Sequence, residues 1–502
     1  MAKICLCLSG KTLAQNLEIL DKYRPFVDLA DLRVDCLESD ERFLIRRFPG
    51  MAGVPVILSI KRVIDGGSYS GGEGARVTML AKGLAYAEAD QRRNFAYVDL
   101  EEDLDVPSLE EAARTFGTKI IRSSYNGEGV DEDLAGKIKK LRRVGDEIIK
   151  MAVTPQSLDD VIKVYRAAQK TKSINKILHC MGEFGVVPRI LAEFFGSAIS
   201  YSFPVGDIPD IDPEELTPRD LGELYRFRKI TGKTRVFAVS GYPLKVTDSP
   251  RFFNTVFELE QHDAIFVPIP TDSVQSLLRL AQEIGISGIS VTVPYKEEIL
   301  PCLAFKSHDV SSVGACNTLI SGYQGWMGYN TDGAGFSDSL LSFIGRKDLR
   351  GRKLTIVGAG GLARAIAAEV YRLRGKALIL NRTLARARAL AESYRFKWAG
   401  LDSRGANLMD KYSHIIIQAT PVGMEPYENE DLTEIYEFSG RETVIDLVYK
   451  PEKSHCLLRA EKAGCRILNG HDILRRQAQL QYTHFLGNEF PPSLASRVKF
   501  YV

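Results

Sequence analysis

Eight short apolar runs alternate with helix-like segments over the first part of the chain, and this rhythm restricts the fold more than any other feature. The runs are Ile4–Ser9, Leu29–Leu37, Pro55–Lys61, Phe95–Glu101, Lys119–Tyr125, Glu147–Val153, Asn175–Gly182 and Ser197–Phe203. Strand and helix in strict alternation predict a parallel sheet covered by helices, and eight repeats of the unit predict a closed (β/α)8 barrel over residues 1–210. An acidic, proline-bearing passage, Pro204–Pro213, follows the eighth run and reads as the boundary. Residues 211–233 then form a linker with a short helix near Leu221–Ile230. From Arg235 the strand–helix pattern restarts, giving one unit over 234–330 and another over 331–469, with a final helix of about 470–502 packing back on the former. A chain of 502 residues is too long for a single hydrophobic core.

Within the last unit, the apolar strand ending at Val357 runs into Gly358-Ala359-Gly360-Gly361 and then an alanine-rich helix. Glycines there let a pyrophosphate approach the backbone at a helix N-terminus, the opening of a Rossmann dinucleotide site. The next strand ends in Asn381-Arg382-Thr383, with Arg386 one turn on. A site for NAD places a carboxylate at that strand end to bind the ribose 2′-hydroxyl. Two cations suit a 2′-phosphate, so the cofactor read from these residues is NADP.

Composition excludes other partners. With 66 cations and 64 anions the formal charge is +2, which gives no general attraction to nucleic acid or to a membrane surface. No segment approaches the length of a membrane span, and the eight cysteines lack a C-x-x-C spacing, so no metal site is expected and the thiols read as small core residues in a reducing cytoplasm.

Four segments between the linker and the glycine-rich turn carry polar groups at the edges of apolar runs. Thr247 and Ser249 lie in a Gly/Pro-framed loop suited to a small carboxylate, although such loops are more often capped turns. Thr292 and Lys296 follow a strand ended by Pro294, where a lysine is ordinarily a solvated surface residue. Asn317 and Asp332 stand beside glycines, a common setting for turn formers.

In combination these segments resemble shikimate dehydrogenase, and the resemblance runs from about Arg235 to the C-terminus. It rests on Pro243-Leu-x-x-Thr247-x-Ser249-Pro250, Val291-Thr-Val-Pro-Tyr-Lys296, Gly314-Ala-x-Asn317-Thr318, Asn330-Thr-Asp332-Gly333, Gly358-Ala-Gly-Gly361, Asn381-Arg-Thr383 and Gln418-Ala-Thr420-Pro-Val-Gly-Met424. It implies that 234–330 is the substrate lobe, that Thr247 and Ser249 hold the substrate carboxylate, and that Thr292, Asn317, Asp332 and Gln477 bind ring hydroxyls. Lys296 with Asp332 would be the catalytic dyad, Tyr449 would contact substrate near the nicotinamide, and Thr420 and Gly470 would join the cofactor site. Thr247 stands where serine is commoner in the family, and Ser290 where asparagine is.

In the barrel half, Asp31, Arg33 and Asp35 alternate with Leu32 and Val34, so one strand face carries three charges that an interior tolerates only when paired. Ser59, Lys61, Asp99 and Glu101 continue the theme, and Lys150 lies inside an apolar strand. A buried lysine is a candidate Schiff-base nucleophile, with an ion pair to a neighbour such as Glu101 as the plainer reading. Residues 1–203 resemble type I 3-dehydroquinate dehydratase. On that resemblance Lys150 forms an imine with the substrate ketone, Met181-Gly-Glu-Phe-Gly-Val-Val-Pro-Arg189 clamps the substrate, and Asp31, Arg33, Lys61, Asp65 and Tyr125 complete its site. Asp31 and Asp65 replace glutamates of the family, Lys61 replaces an arginine, and Tyr125 occupies the position of the family's acid/base histidine. The Ser-Ala-Pro-Gly-Gln loop expected after the eighth strand is absent. His179, the only histidine in this half, shares strand parity with Met181, although a histidine so placed is more often packed structurally.

The expectation is a bifunctional chain acting on small molecules, 3-dehydroquinate, 3-dehydroshikimate and shikimate, with a slow barrel. Two alternatives stand beside it: a barrel that binds ligand without catalysis, and a dehydrogenase for quinate as well as shikimate.

Overall fold

The computed structural model describes the chain apart from residues 85–92, 209–210, 213–214, 245–246, 496 and 499–502, so parts of the boundary passage and of the C-terminal segment lie outside the described residues. Two compact units are present, Met1–Ala238 with Tyr242–Ile286, and Val239–Gly241 with Ser287–Val502.

In the first unit, strands β1 (Lys3–Leu8), β2 (Leu29–Arg33), β3 (Val56–Ser59), β4 (Tyr97–Glu101), β5 (Lys119–Asn126), β6 (Ile148–Val153), β7 (Lys176–Cys180) and β8 (Ile199–Ser202) pair in the order β7-β6-β5-β4-β3-β2-β1-β8. Ala198 N–H donates to Lys176 C=O at 2.7 Å and so links the two ends of this sheet. Successive side chains along a strand alternate between faces. Leu6, Leu8, Leu32, Leu58, Val98 and Leu100 therefore share one apolar cluster with helical residues such as Leu20 and Leu109. The other face carries a second apolar cluster that includes Leu29, Ile57, Tyr97, Ile121, Ile148 and Ile177. Two positions later, on this same face, the chain has Asp31, Ser59, Asp99, Ser123, Lys150 and His179. An apolar floor thus underlies a layer of ionisable groups toward the strand C-termini, the end at which barrels of this kind place their chemistry.

The first unit also contains the start of β9 (Arg235–Gly241), β10 (Ala264–Pro270) and the helices Ser249–Leu259 and Val274–Ile284. Helix Val274–Ile284 lies along the barrel helix Leu158–Lys170, with Arg166 to Glu283 at 2.6 Å and Arg279 to Asp159 at 2.6 Å.

In the second unit, β11 (Ile286–Val291) pairs antiparallel with β13 (Thr318–Gly322), β13 with β14 (Gly325–Tyr329) likewise, and β12 (Leu303–Lys306) runs parallel to β14. A parallel sheet follows, built from β15 (Lys353–Val357), β16 (Lys376–Leu380), β17 (Lys397–Ala399), β18 (Ile415–Gln418), β19 (Thr443–Asp446) and β20 (Arg466–Leu468). Its order β17-β16-β15-β18-β19-β20 reverses direction beside β15, the doubly wound arrangement whose switch point receives a dinucleotide. The helix Gly470–Leu486 packs on the helix Asp332–Ile344 through Gly335, where a Cβ would stand 2.9 Å from the Gln477 backbone nitrogen. Among the described residues no helix is long and apolar enough to cross a membrane.

Candidate active sites

The second unit builds its polar site at the start of helix Asp332–Ile344. Asp332 occupies the first helical position, where the positive end of the helix favours a carboxylate. Its Oδ2 accepts from Lys296 Nζ at 2.6 Å and its Oδ1 from Asn317 Nδ2 at 2.8 Å. Asn317 is itself locked: its Nδ2 also donates to the Thr331 hydroxyl at 2.9 Å, while its Oδ1 accepts from Thr331 N–H at 2.9 Å and the Thr318 hydroxyl at 2.8 Å. Asp332 and Asn317 are fully buried and Lys296 is 9% exposed, so the solvated-lysine reading fails for physical reasons. A buried lysine is tolerated in such surroundings when a carboxylate pairs with it, as Asp332 does at 2.6 Å.

Gln481 is a member of this site that sequence reasoning passed over. Its amide nitrogen donates to Ser290 Oγ at 3.0 Å, Thr318 Oγ1 at 3.1 Å and the Asn317 carbonyl at 3.2 Å, tying the C-terminal helix to β11 and β13. The signal was its position one turn beyond Gln477, on the same side of the helix. Thr292 lies just beyond β11 and is partly exposed, with its N–H donating to Ser240 C=O at 2.9 Å. Tyr449 is partly exposed and its ring centroid is 6.0 Å from that of His471.

The glycine-rich turn meets this cluster. A Cβ on Gly361 would lie 3.2 Å from Lys296 Cβ, a tight contact that a glycine relieves where turn and dyad approach. Gly358 has φ +124°, and a Cβ on it would meet the Ala419 carbonyl at 2.9 Å, whereas the space over Gly360 is open. That opening sits at the N-terminus of helix Gly361–Arg372, and it suits a pyrophosphate. Arg382 and Arg386 are exposed, and neither guanidinium has an ion-pair partner among the described residues. Asn381 Nδ2 donates to the Thr383 carbonyl at 3.0 Å and shapes the turn that carries them. Thr420 is oriented by Gln418, whose Oε1 accepts from the Thr420 hydroxyl at 2.7 Å. This donor set fits a phosphorylated dinucleotide. Gly470 begins the final helix, and a Cβ there would meet the Leu447 carbonyl at 2.4 Å.

In the first unit, Asp31, Arg33, Lys61, Asp65, Tyr125, Lys150 and Met181 line one cavity with Glu101, His179 and Tyr201. Lys150 Nζ donates to Asp99 Oδ2 at 3.0 Å and to the Tyr201 hydroxyl at 2.9 Å, so its ion-pair partner is Asp99 rather than Glu101. Asp99 also accepts from Lys61 Nζ at 2.6 Å, and Lys61 donates further to Glu101 at 3.2 Å and Ser123 Oγ at 2.9 Å. Burial alone would raise the Asp99 carboxyl, but the Lys150 and Lys61 ammoniums outweigh it and hold the group well below the usual range. Arg33 is engaged by Asp35 at 2.7 and 3.0 Å, and Asp65 by Arg62 at 2.6 Å. Asp31 differs: burial raises its carboxyl despite Lys150, and its Oδ1 has no hydrogen-bond partner. Arg189 does not line this cavity; it pairs with Glu215 and opens on another, about 360 Å³ in volume, together with Thr247. Ser249, with its N–H 3.4 Å from the Thr247 hydroxyl, begins the helix after that loop. His179 is not packed away as a structural residue: it is part-exposed, lines the Lys150 cavity and lies against Tyr201 with ring centroids 4.7 Å apart.

Comparison with known proteins finds three matches along the chain. Residues 4–231 match type I 3-dehydroquinase, 239–319 the shikimate dehydrogenase substrate binding domain, and 342–449 shikimate / quinate 5-dehydrogenase. The chloroplastic bifunctional 3-dehydroquinate dehydratase/shikimate dehydrogenase of Arabidopsis thaliana is 28% identical over 490 residues, 93% of this chain and 79% of the relative. Shikimate dehydrogenase (NADP(+)) of Carboxydothermus hydrogenoformans is 31% identical over 269 residues, 52% of this chain and 94% of the relative. The enzyme of that name from Geobacter metallireducens is 34% identical over 280 residues, 53% of this chain and 96% of the relative. The C-terminal half of the chain belongs to the shikimate dehydrogenase family, and the barrel that precedes it is a type I 3-dehydroquinase domain.

Proposed function

We propose that the chain performs two successive steps, dehydration of 3-dehydroquinate in the barrel and reduction of the resulting 3-dehydroshikimate to shikimate in the second half, with NADPH as reductant. The observation that carries the reading is the buried Lys296–Asp332 pair, 2.6 Å apart and braced by Asn317, beside an open glycine turn. Hydride delivered from NADPH to a ketone leaves an alkoxide that needs a proton donor within hydrogen-bond reach. Lys296 supplies that proton. Asp332 holds the ammonium and, with Thr292, Asn317 and Gln477, orients the ring hydroxyls, while Thr247 and Ser249 bind the carboxylate and Tyr449 contacts the substrate near the nicotinamide. Arg382 and Arg386 select the 2′-phosphate, and Thr420, Gly470 and the 358–361 turn hold the rest of the cofactor.

In the barrel, Lys150 forms an imine with the ketone of dehydroquinate. Asp31, Arg33, Lys61, Asp65, Tyr125 and Met181 surround the ring, and Arg189 reaches the substrate once released from Glu215. The domain limits are those read from the sequence, with the barrel ending near residue 210 and the Rossmann domain spanning 331–469. Free cysteines suit a cytoplasmic location, the compartment we assign. The test is direct: purified protein should release 3-dehydroshikimate from 3-dehydroquinate and oxidise NADPH when given 3-dehydroshikimate. Absence of the second activity would overturn the dehydrogenase reading.

A further inference from the structure

Dehydration through an imine requires a group that removes a proton from the carbon beside the imine and returns it to a departing hydroxyl. That group must face the nucleophile and be able to accept a proton near neutral pH. Most cavity residues fail one condition. Asp65 is held by Arg62, and Glu101 by Lys61 and Arg76, so each carboxylate is committed to cations. Burial pushes the Cys7 thiol up to about 12, which leaves it protonated. Tyr125 lines the same cavity, its ring 2.7 Å from where a Cβ on Gly66 would stand.

Three candidates remain, Asp31, Tyr125 and His179. His179 follows Ile177 of the apolar floor by two positions and so faces inward beside Lys150. Its ring lies tilted against Tyr201 with centroids 4.7 Å apart, and the Tyr201 hydroxyl accepts from Lys150 Nζ at 2.9 Å. Tyr201 therefore bridges nucleophile and imidazole. The imidazole Nδ1 is buried without a partner, an arrangement that a native protein ordinarily avoids unless a ligand completes it.

We infer that His179 is the proton-transfer residue of the barrel and that Tyr201 is the positioning residue that holds it beside Lys150. The inference rests on the dehydratase reading of the barrel. The Lys150 ammonium and the ketone combine to a protonated imine with loss of one water. His179 takes the proton from the neighbouring carbon, giving an enamine and an imidazolium. The imidazolium returns that proton to the hydroxyl that leaves as the second water, and hydrolysis of the imine consumes one water and restores Lys150. The net change is loss of one water. Burial, then the Lys150, Arg189 and Arg33 cations, hold the imidazole well below its ordinary range, so the resting ring is neutral.

The test combines borohydride trapping with turnover of 3-dehydroquinate in the full-length chain. Wild type should trap at Lys150 and turn over. His179→Gln and His179→Asn should still trap at Lys150, which reports a folded barrel, while kcat falls by about a hundredfold or more, and imidazole should partly restore His179→Ala. Turnover of His179→Gln within about threefold of wild type would overturn the assignment. So would loss of the adduct in both His179 variants, because the residue acts after imine formation. If Asp31→Asn or Tyr125→Phe gave the trapping but inactive phenotype instead, the proton carrier would be that residue. A wild-type chain that neither traps nor dehydrates would refute the underlying dehydratase reading, an outcome distinct from the others.

Discussion

Asp332→Asn separates the chemistry of the second unit from its scaffolding. The carboxylate accepts from two donors, Lys296 Nζ at 2.6 Å and Asn317 Nδ2 at 2.8 Å. An asparagine offers a single carbonyl oxygen, so one donor would face an amide N–H. At 2.6 Å and an effective dielectric of about 20, the lost charge attraction is about 6 kcal/mol before the desolvation that opposes it. Breaking a buried pair from one side is therefore expected to destabilise the second unit by about 3–5 kcal/mol. Lys296→Met combined with Asp332→Asn leaves no unpaired charge, so the double variant should be more stable than the sum of the singles by about 2 kcal/mol or more. Denaturant unfolding followed in the Rossmann half measures the cycle. Turnover of 3-dehydroshikimate should fall by about 10²–10⁴ in each single variant, with NADPH affinity in a fluorescence titration nearly unchanged. A coupling energy near zero, or a single variant with wild-type kcat, would refute the argument.

Replacing Arg382 and Arg386 together by alanine should raise the KM for NADPH by roughly tenfold to a hundredfold and leave that for NADH unchanged, because two charge-assisted contacts are lost only with the 2′-phosphate; equal effects on both cofactors would contradict this. Lys61→Met removes one of two cations that depress Asp99, whose lowered carboxyl contributes stability present above its unfolded pKa and lost as pH falls through the folded one. The acid-unfolding midpoint of the barrel should accordingly move to higher pH, as followed by circular dichroism. Asp446 shows the opposite sign: burial raises its carboxyl to about 7 although Ser454 and Val448 N–H bond to it. The folded state then binds the extra proton between about pH 4 and 7, so wild type should lose stability relative to Asp446→Asn as pH rises through that window, measured by melting temperature.

The eight barrel strands were legible because short runs rich in apolar residues recur in alternation with helix-like segments, and the glycine turn because only glycine tolerates φ +124° against the Ala419 carbonyl. Pairing was not legible. Whether Lys150 meets Asp99 or Glu101 depends on barrel stagger, which shifts partners across strands without changing which face each residue occupies. Arg189 shares a helix with the segment that suggested its role, yet a carboxylate 26 positions later engages it, a long-range contact with no local signature. Gln481 repeats the side of Gln477 at helical spacing, and which of two such amides reaches β11 is decided by the depth to which the helix sits over Gly335. The packing of Val274–Ile284 on the barrel helix Leu158–Lys170 was equally hidden, because it joins two amphipathic helices that each read as complete alone.

The most direct test of the two-step account gives the purified chain 3-dehydroquinate and NADPH together and identifies the products by chromatography. The account predicts shikimate with matched consumption of NADPH, 3-dehydroshikimate accumulating instead in Lys296→Ala, and neither product in Lys150→Met. Contradiction would be a wild-type protein that reduces added 3-dehydroshikimate yet forms no shikimate from 3-dehydroquinate.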